Sequence, residues 1–230
     1  MTTSLLKRPR RKENKMAFLM NSVQKISYSD AKPWILYKHY AKRIPPMFHL
    51  FGLYQDNILE GVCTFGNSPN RSFNDGACVF RNLKMLVYEL NRLVVSDGLP
   101  KNSLSFFVSQ SLGKLPTPCC VVSYADENKN HYGYIYQATN WIYTGVSTPK
   151  HKYIFADGST FDSRRRGYSK GKIVDKIRLK PSHRYITFVG SKKDKKNMSN
   201  DLKMTIKPYP KGKPKRYDAS YQPNVQMVMF

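Results

Sequence analysis

Apolar and polar positions along this chain follow two periods, and the switches between them mark out its elements. Residues 1–25 show neither period and read as a polar, basic arm. Residues 29–33 then open a helix, with Ser29 as its cap, running through Trp34, Ile35, Tyr37, Lys38, His39 and Tyr40 and stopping before Pro45-Pro46. Two apolar runs, 49–54 and 58–65, are separated by Gln55-Asp56-Asn57, which predicts a hairpin. Residues 66–75 are rich in Asn, Ser, Pro and Gly and predict a loop. From Lys84 to Val95, Met85, Val87, Glu89, Asn91 and Leu93 alternate against Leu86, Tyr88, Leu90, Arg92 and Val94, the period-2 pattern of a long strand. Asp97-Gly98-Leu99-Pro100 breaks it, and Asn102 or Ser103 caps a helix through Leu112.

Residues 119–124 are wholly apolar, as in strands buried on both faces, with Asp126 just beyond. A helix over 131–138 and a strand from Trp141-Ile142-Tyr143 follow. Short strands over 152–155 and 173–179 flank a basic loop, and residues 185–189 form the last strand before a Lys-rich tail. Helices interleaved with strands predict a mixed α/β (α+β) class: a single domain whose central mixed sheet is flanked by helices. Ligands of such sheets sit at strand ends, where Arg92, Asp126 and the loop 96–105 fall.

Charge divides the 230 residues into three parts. Thirty-nine Lys and Arg face 15 Asp and Glu, for a net +24. Residues 1–26 carry +6, residues 27–163 only +3, residues 164–216 carry +16, and the last 14 carry −1. Such an excess repels itself unless a polyanion is the usual partner, nucleic acid first and an anionic membrane surface second. The expected organisation is a basic mobile arm over 1–26, a catalytic domain over 27–190 and a basic tail over 191–230. Cys63, Cys78, Cys119 and Cys120 lack C-x-x-C spacing, which argues against a zinc ribbon or disulfide framework and for buried thiols in a reducing compartment. No run reaches membrane-spanning length, and no signal peptide is apparent.

Candidate chemistry follows from polar groups in apolar surroundings. Glu89 and Arg92 point to opposite faces of one strand, because their spacing is odd. Glu89 reads as a structural ion-pair partner, whereas Arg92, nearer the strand end, can hold a phosphate or carboxylate by two prongs. Asp126 reads either as a turn-capping residue or as a general base or metal ligand. Tyr136 and Trp141, in an aromatic stretch, can stack or hydrogen-bond a base, and His39-Tyr40 is a similar pair. Arg164, Arg165, Arg166, Lys192, Lys193, Lys195, Lys196 and Lys211 form clusters suited to sequence-independent phosphate contact.

Taken in order, these segments resemble the Mom family of phage DNA-modification proteins. The pieces are His39-Tyr40 with Arg43 and Pro45, Phe51-Gly52, Gly61-Val62, Glu89-Leu90-Asn91-Arg92-Leu93 with Pro100-Lys101-Asn102-Ser103, Ser123-Tyr124-Ala125-Asp126, residues 133–140, His183-Arg184-Tyr185 and residues 208–212. The resemblance implies a fold like the acetyltransferase (GNAT) superfamily and conversion of adenine in duplex DNA to N6-carbamoylmethyladenine, which protects phage DNA from host restriction. It implies His39, Tyr40, Arg92, Asp126 and Tyr136 as active-site positions, with Asn102, Ser103, Ser105, Ser123 and Trp141 around the substrate or donor. It also implies iron, for which His39, Asp126 and Tyr136 offer N and O donors, although their spacing demands no metal. Acetyltransferases of that fold cradle the coenzyme A pyrophosphate with a Gly-rich turn after the fourth strand. Here that place, residues 96–103, has one Gly and a Pro, which argues against acetyl-CoA as donor.

Three functions are therefore expected in descending order. The first transfers a glycine-derived group, from a small molecule or a carrier, to adenine in double-stranded DNA within the host bacterial cytoplasm. The second is an acyltransferase for protein or small-molecule amines, which the basic tail argues against. The third is a nucleic-acid-binding protein without chemistry, which the near-neutral middle argues against. A dimer is compatible with all three.

Overall fold

A computed structural model describes residues 21–69, 71–162 and 171–212. In chain order the elements are β1 (Asn21–Lys25), α1 (Tyr28–Pro33), a π-helical turn (Trp34–Lys38), β2 (His49–Gln55), β3 (Ile58–Asn67), α2 (Arg71–Asn74), β4 (Val87–Val95), α3 (Ser103–Leu112), β5 (Cys119–Asp126), a 3-10 turn (Glu127–Lys129), α4 (Tyr134–Ala138), β6 (Ile142–Val146), β7 (His151–Phe155), β8 (Thr160–Asp162), β9 (Ile173–Arg178), β10 (Ser182–Val189) and α5 (Lys192–Asn200). The class is mixed α/β, as the patterning predicts. The described residues form two compact units, one of residues 21–69 and 89–117, the other of 71–88 and 118–212.

In the first unit, β1, β2, β3 and β4 lie side by side in that order. The β2–β3 hairpin turns at Asp56 and Asn57, whose φ of 51° and 65° match the twist of the flanking strands. Ala31, Ile35 and Val62 form a buried cluster against which Trp34, Leu50, Leu59 and Val94 pack. Residues 21–25, expected within the arm, instead pair with β2 from Asn21↔Gln55 to Lys25↔Phe51. The cap of α1 is Ser27 rather than Ser29, because only Ser27 has Asp30 three residues on. The Ser27 hydroxyl accepts from Asp30 N–H at 3.2 Å, and Asp30 Oδ2 accepts from Ser27 N–H at 3.1 Å.

The second unit carries β5, β10 and β6 in that order, both pairings antiparallel. β5 is buried over nearly its whole length, as its apolar run predicts. A cluster of Phe73, Val79, Phe80, Cys120, Val122, Ile186, Met198 and Leu202 forms its core. Within the basic tail expected over 191–230, Lys192–Asn200 is instead a packed helix, and residues 213–230 lie outside the described residues. The lysines of this helix are exposed, but Met198 is buried and Asp201 Oδ2 accepts from the N–H groups of Asn82 (2.9 Å) and Leu83 (2.8 Å). A low-hydropathy stretch hides such an element because two apolar residues suffice to anchor it. The unit also holds a separate three-stranded sheet in the order β8-β7-β9.

Candidate functional site

Most of the expected site residues fall into two groups, one in each unit. In the first unit, Pro33 lacks an N–H, and the helix continues as one π-type turn closed by His39 N–H to the Trp34 carbonyl at 3.0 Å. His39 is already extended (φ −78°, ψ 135°), so the helix ends before Tyr40. His39 is buried, and its Nδ1 accepts from Ala41 N–H at 3.0 Å. Nδ1 therefore carries no proton, and the ring presents Nε2 as its N–H. Tyr40 stacks on it at 4.3 Å between ring centroids, with its own ring 40% exposed.

Two neighbours on β4 hold the segment that follows. Arg92, buried, points both Nε (3.2 Å) and Nη2 (2.8 Å) at the Arg43 carbonyl. Asn91 donates to the Pro46 carbonyl at 2.8 Å and accepts from Thr64 at 2.6 Å. Gly66 leaves the room this needs, since a Cβ there would lie 1.9 Å from the Pro46 oxygen. Two nitrogens of Arg92 thus converge on one backbone oxygen, where the sequence predicts a two-pronged hold on an anion. Asn91 and Thr64 were missed by sequence reading, because neutral polar residues in a strand carry no signal until their partners are known. At the start of α3, Asn102 sits at φ 73° without a side-chain cap, so it does not cap as expected. Ser103 N–H donates to Pro100 O (3.1 Å), the buried Ser103 hydroxyl has no partner among the described residues, and Ser105 donates to Asn102 O (2.9 Å).

In the second unit, Ser123 on β5 donates to the Tyr136 hydroxyl at 2.7 Å, both side chains buried. Tyr136 lies against Trp141 (4.9 Å between centroids) and Tyr185 (5.2 Å). The Trp141 indole N–H has no acceptor among the described residues. Asp126 Oδ1 accepts from Asn128 N–H (3.0 Å) and Asn128 Nδ2 (2.8 Å), capping the 3-10 turn. The capping reading of Asp126 is thus the one its geometry displays. His131, next to it, is held below the usual imidazole range by burial, with the Asp126 charge opposing.

A polar chain not anticipated from sequence adjoins this group. His183 Nδ1 meets the Tyr143 hydroxyl at 2.9 Å, while its Nε2 lies 3.7 Å from Glu127 Oε2. Burial lowers the His183 pKa, Glu127 opposing, and raises that of Tyr143. Burial also pushes Tyr185 up to about 12. The C-terminal part of the unit braces the group: Tyr209 donates to Trp141 O (2.7 Å) and Tyr134 to Gly212 O (2.8 Å).

Among the described residues no three His, Cys, Asp or Glu side chains gather closely enough to hold a metal ion. Of the donors expected for iron, His39 Nδ1, Asp126 Oδ1 and the Tyr136 hydroxyl are each engaged as described above. Lys192, Lys193, Lys195, Lys196 and Lys211 are exposed, whereas Arg164, Arg165 and Arg166 lie outside the described residues. No helix among the described residues is long and apolar enough to cross a membrane.

These features define a mixed α/β protein with one cluster of polar and aromatic side chains in each of its two units. The chain belongs to the Mom protein family, whose sequence profile matches residues 21–211. It is 30% identical to methylcarbamoylase mom of Escherichia phage Mu over 82% of this chain and 83% of that protein. Among solved structures it is similar to a GNAT-family acetyltransferase of Bacillus cereus (14% identity, 75% of this chain and 99% of that one, TM-score 0.42). It is also similar to a Bacillus subtilis acetyltransferase solved in complex with CoA (12% identity, 74% and 98%, TM-score 0.39).

Proposed function

We propose that this chain is a phage DNA-modification transferase that converts adenine in duplex DNA to N6-carbamoylmethyladenine inside the host bacterium, shielding phage DNA from restriction. The observation that carries this reading is the 30% identity, across more than four fifths of both chains, to the methylcarbamoylase of phage Mu. The net charge of +24 suits a DNA substrate.

In the reaction, a bond forms between adenine N6 and the methylene carbon of a glycine-derived donor. The bond from that carbon to its leaving group breaks, with the electron pair departing on the leaving group, and N6 gives up a proton. The target base leaves the duplex stack to reach a pocket. Asp126 accepts the N6 proton at its carboxylate, which the two bonds from Asn128 hold in one orientation. The Ser123–Tyr136 pair, packed on Trp141, fixes the wall beside it. Arg92, through Arg43, positions His39 and Tyr40, and Tyr40 offers an accessible ring for stacking. Asn102, Ser103 and Ser105 at the start of α3 bind the donor, and the exposed lysines of α5 with Lys211 contact phosphates.

Mass spectrometry of nucleosides from cells expressing the chain tests the reading. A carbamoylmethyl-bearing adenosine is expected, and an unchanged adenine peak overturns it. Asp126→Asn keeps an acceptor for the 3-10 turn but removes the base, so modification should fall by at least about 100-fold while the melting temperature holds. Full modification by that variant would remove Asp126 from the chemistry.

A further inference from the structure

The small sheet of β7, β8 and β9 is unlike the rest of its unit. Every residue of β9 is exposed, including Ile173 (52%), Val174 (57%) and Ile177 (44%). A strand exposed along its whole length contributes little burial to its own unit, so its composition is set by something other than a core.

Register shows what its two faces carry. His151 pairs with Arg178 and Tyr153 with both Lys176 and Phe161. Because side chains alternate along a strand, His151, Tyr153, Phe161, Lys176 and Arg178 share one face. On that face the Lys176 ammonium lies 5.8 Å from the centre of the Tyr153 ring, and Tyr153 stacks on Phe161 at 6.3 Å. Asp175, paired with Ile154, falls on the opposite face with Lys152 and Ile177. Cations and aromatic rings are therefore gathered on one side of a thin sheet, and no acidic position of these strands falls there.

We infer that this face is a docking surface for duplex DNA, with Lys176 and Arg178 on the phosphate backbone and Tyr153 beneath them. The inference rests on the proposed function for its substrate and adds to it where the duplex is held. Lys176 and Arg178 are two residues apart, roughly 6.7 Å along the strand. The two cations are thus far enough apart for each to take its own phosphate. The Tyr153 ring orients the Lys176 ammonium and lowers the entropy lost when it meets a phosphate. The chain's positive excess, concentrated in residues 164–216, supplies the charge complementarity. An anionic membrane would meet the same charge, so binding to phosphatidylserine vesicles is the competing outcome.

The test is fluorescence anisotropy of the full chain with a short labelled duplex across a salt series. Lys176→Gln with Arg178→Gln should weaken binding by about 50-fold near 0.1 M salt. The slope of log affinity against log salt should become shallower by about 1.8, the loss of two phosphate contacts. Lys152→Gln, on the opposite face, should change neither by more than about 2-fold. Equal effects from Lys152→Gln, or unchanged binding in the double variant, would overturn the inference. So would tighter binding to phosphatidylserine vesicles than to the duplex, lost in the same variant. The wild-type melting temperature should persist, since all of β9 is exposed. If the chain leaves adenine unmodified yet binds duplex through this face, the proposed function fails and the docking surface stands.

Discussion

Arg92 illustrates how one residue type admits two uses. Its strand-end position invites a substrate anion, yet its fork closes on the Arg43 carbonyl, and Asn91 beside it takes the Pro46 carbonyl. Both bonds hold the segment that follows His39 and Tyr40. Arg92→Lys keeps the charge but offers one point donor in place of two coplanar ones. It should cost about 1.5–3 kcal/mol in urea unfolding. Asn91→Ala strands Thr64 and the Pro46 oxygen and should cost about 1–3 kcal/mol. The double variant should lose less than the sum, because both strap the same segment. Strict additivity would show that the two bonds act independently.

At the scale of elements, the hairpin turn was legible, whereas helix caps and element bounds were not. The β2–β3 hairpin is visible because Asp-Asn at its turn tolerates positive φ. α4 begins at Tyr134, not at residue 131, because Gly133 adopts φ 75° at its cap. That glycine also lies under the Tyr185 ring, where a Cβ would come within 2.4 Å of the ring. Gly133→Ala should therefore destabilise the protein by more than about 2 kcal/mol and shift the Tyr136–Tyr185 contact. Gly98, at φ 78° with nothing near its would-be Cβ, is the control. Gly98→Ala should cost about 1 kcal/mol, the backbone contribution alone. Similar losses at both glycines would show that the ring contact is immaterial.

For the whole molecule, three buried or half-buried histidines make stability depend on pH in the mildly acidic range. Burial lowers the pKa of His49, His131 and His183 from the ordinary 6.5, with Lys25 adding to the effect at His49 and carboxylates opposing at the other two. Below pH 6.5 the unfolded chain binds protons that the folded chain refuses. Stability is thus complete above that value and declines as pH falls toward the folded pKa values. Melting temperature should fall on acidification from neutral pH. His183→Gln, which retains a partner for Tyr143, should shallow that fall. An unchanged slope in His183→Gln would remove this residue from the acid response.

What the sequence by itself determined was periodicity, turn chemistry and charge distribution, each a local property of neighbouring residues. From these came the mixed α/β class, the buried β5, the hairpin and the gathering of positive charge outside residues 27–163; the Mom likeness rests on ordered motifs. Only the tertiary structure decided which polar groups meet. It made residues 21–25 a strand and residues 192–200 a packed helix, because pairing with β2 and burial of Met198 come from distant segments. It also assembled Thr64 with Asn91, and Glu127 with His183 and Tyr143, whose partners are 27 or more residues away along the chain. Hydrogen bonds across such separations leave no trace in local pattern, since the interaction is between groups that only folding brings together.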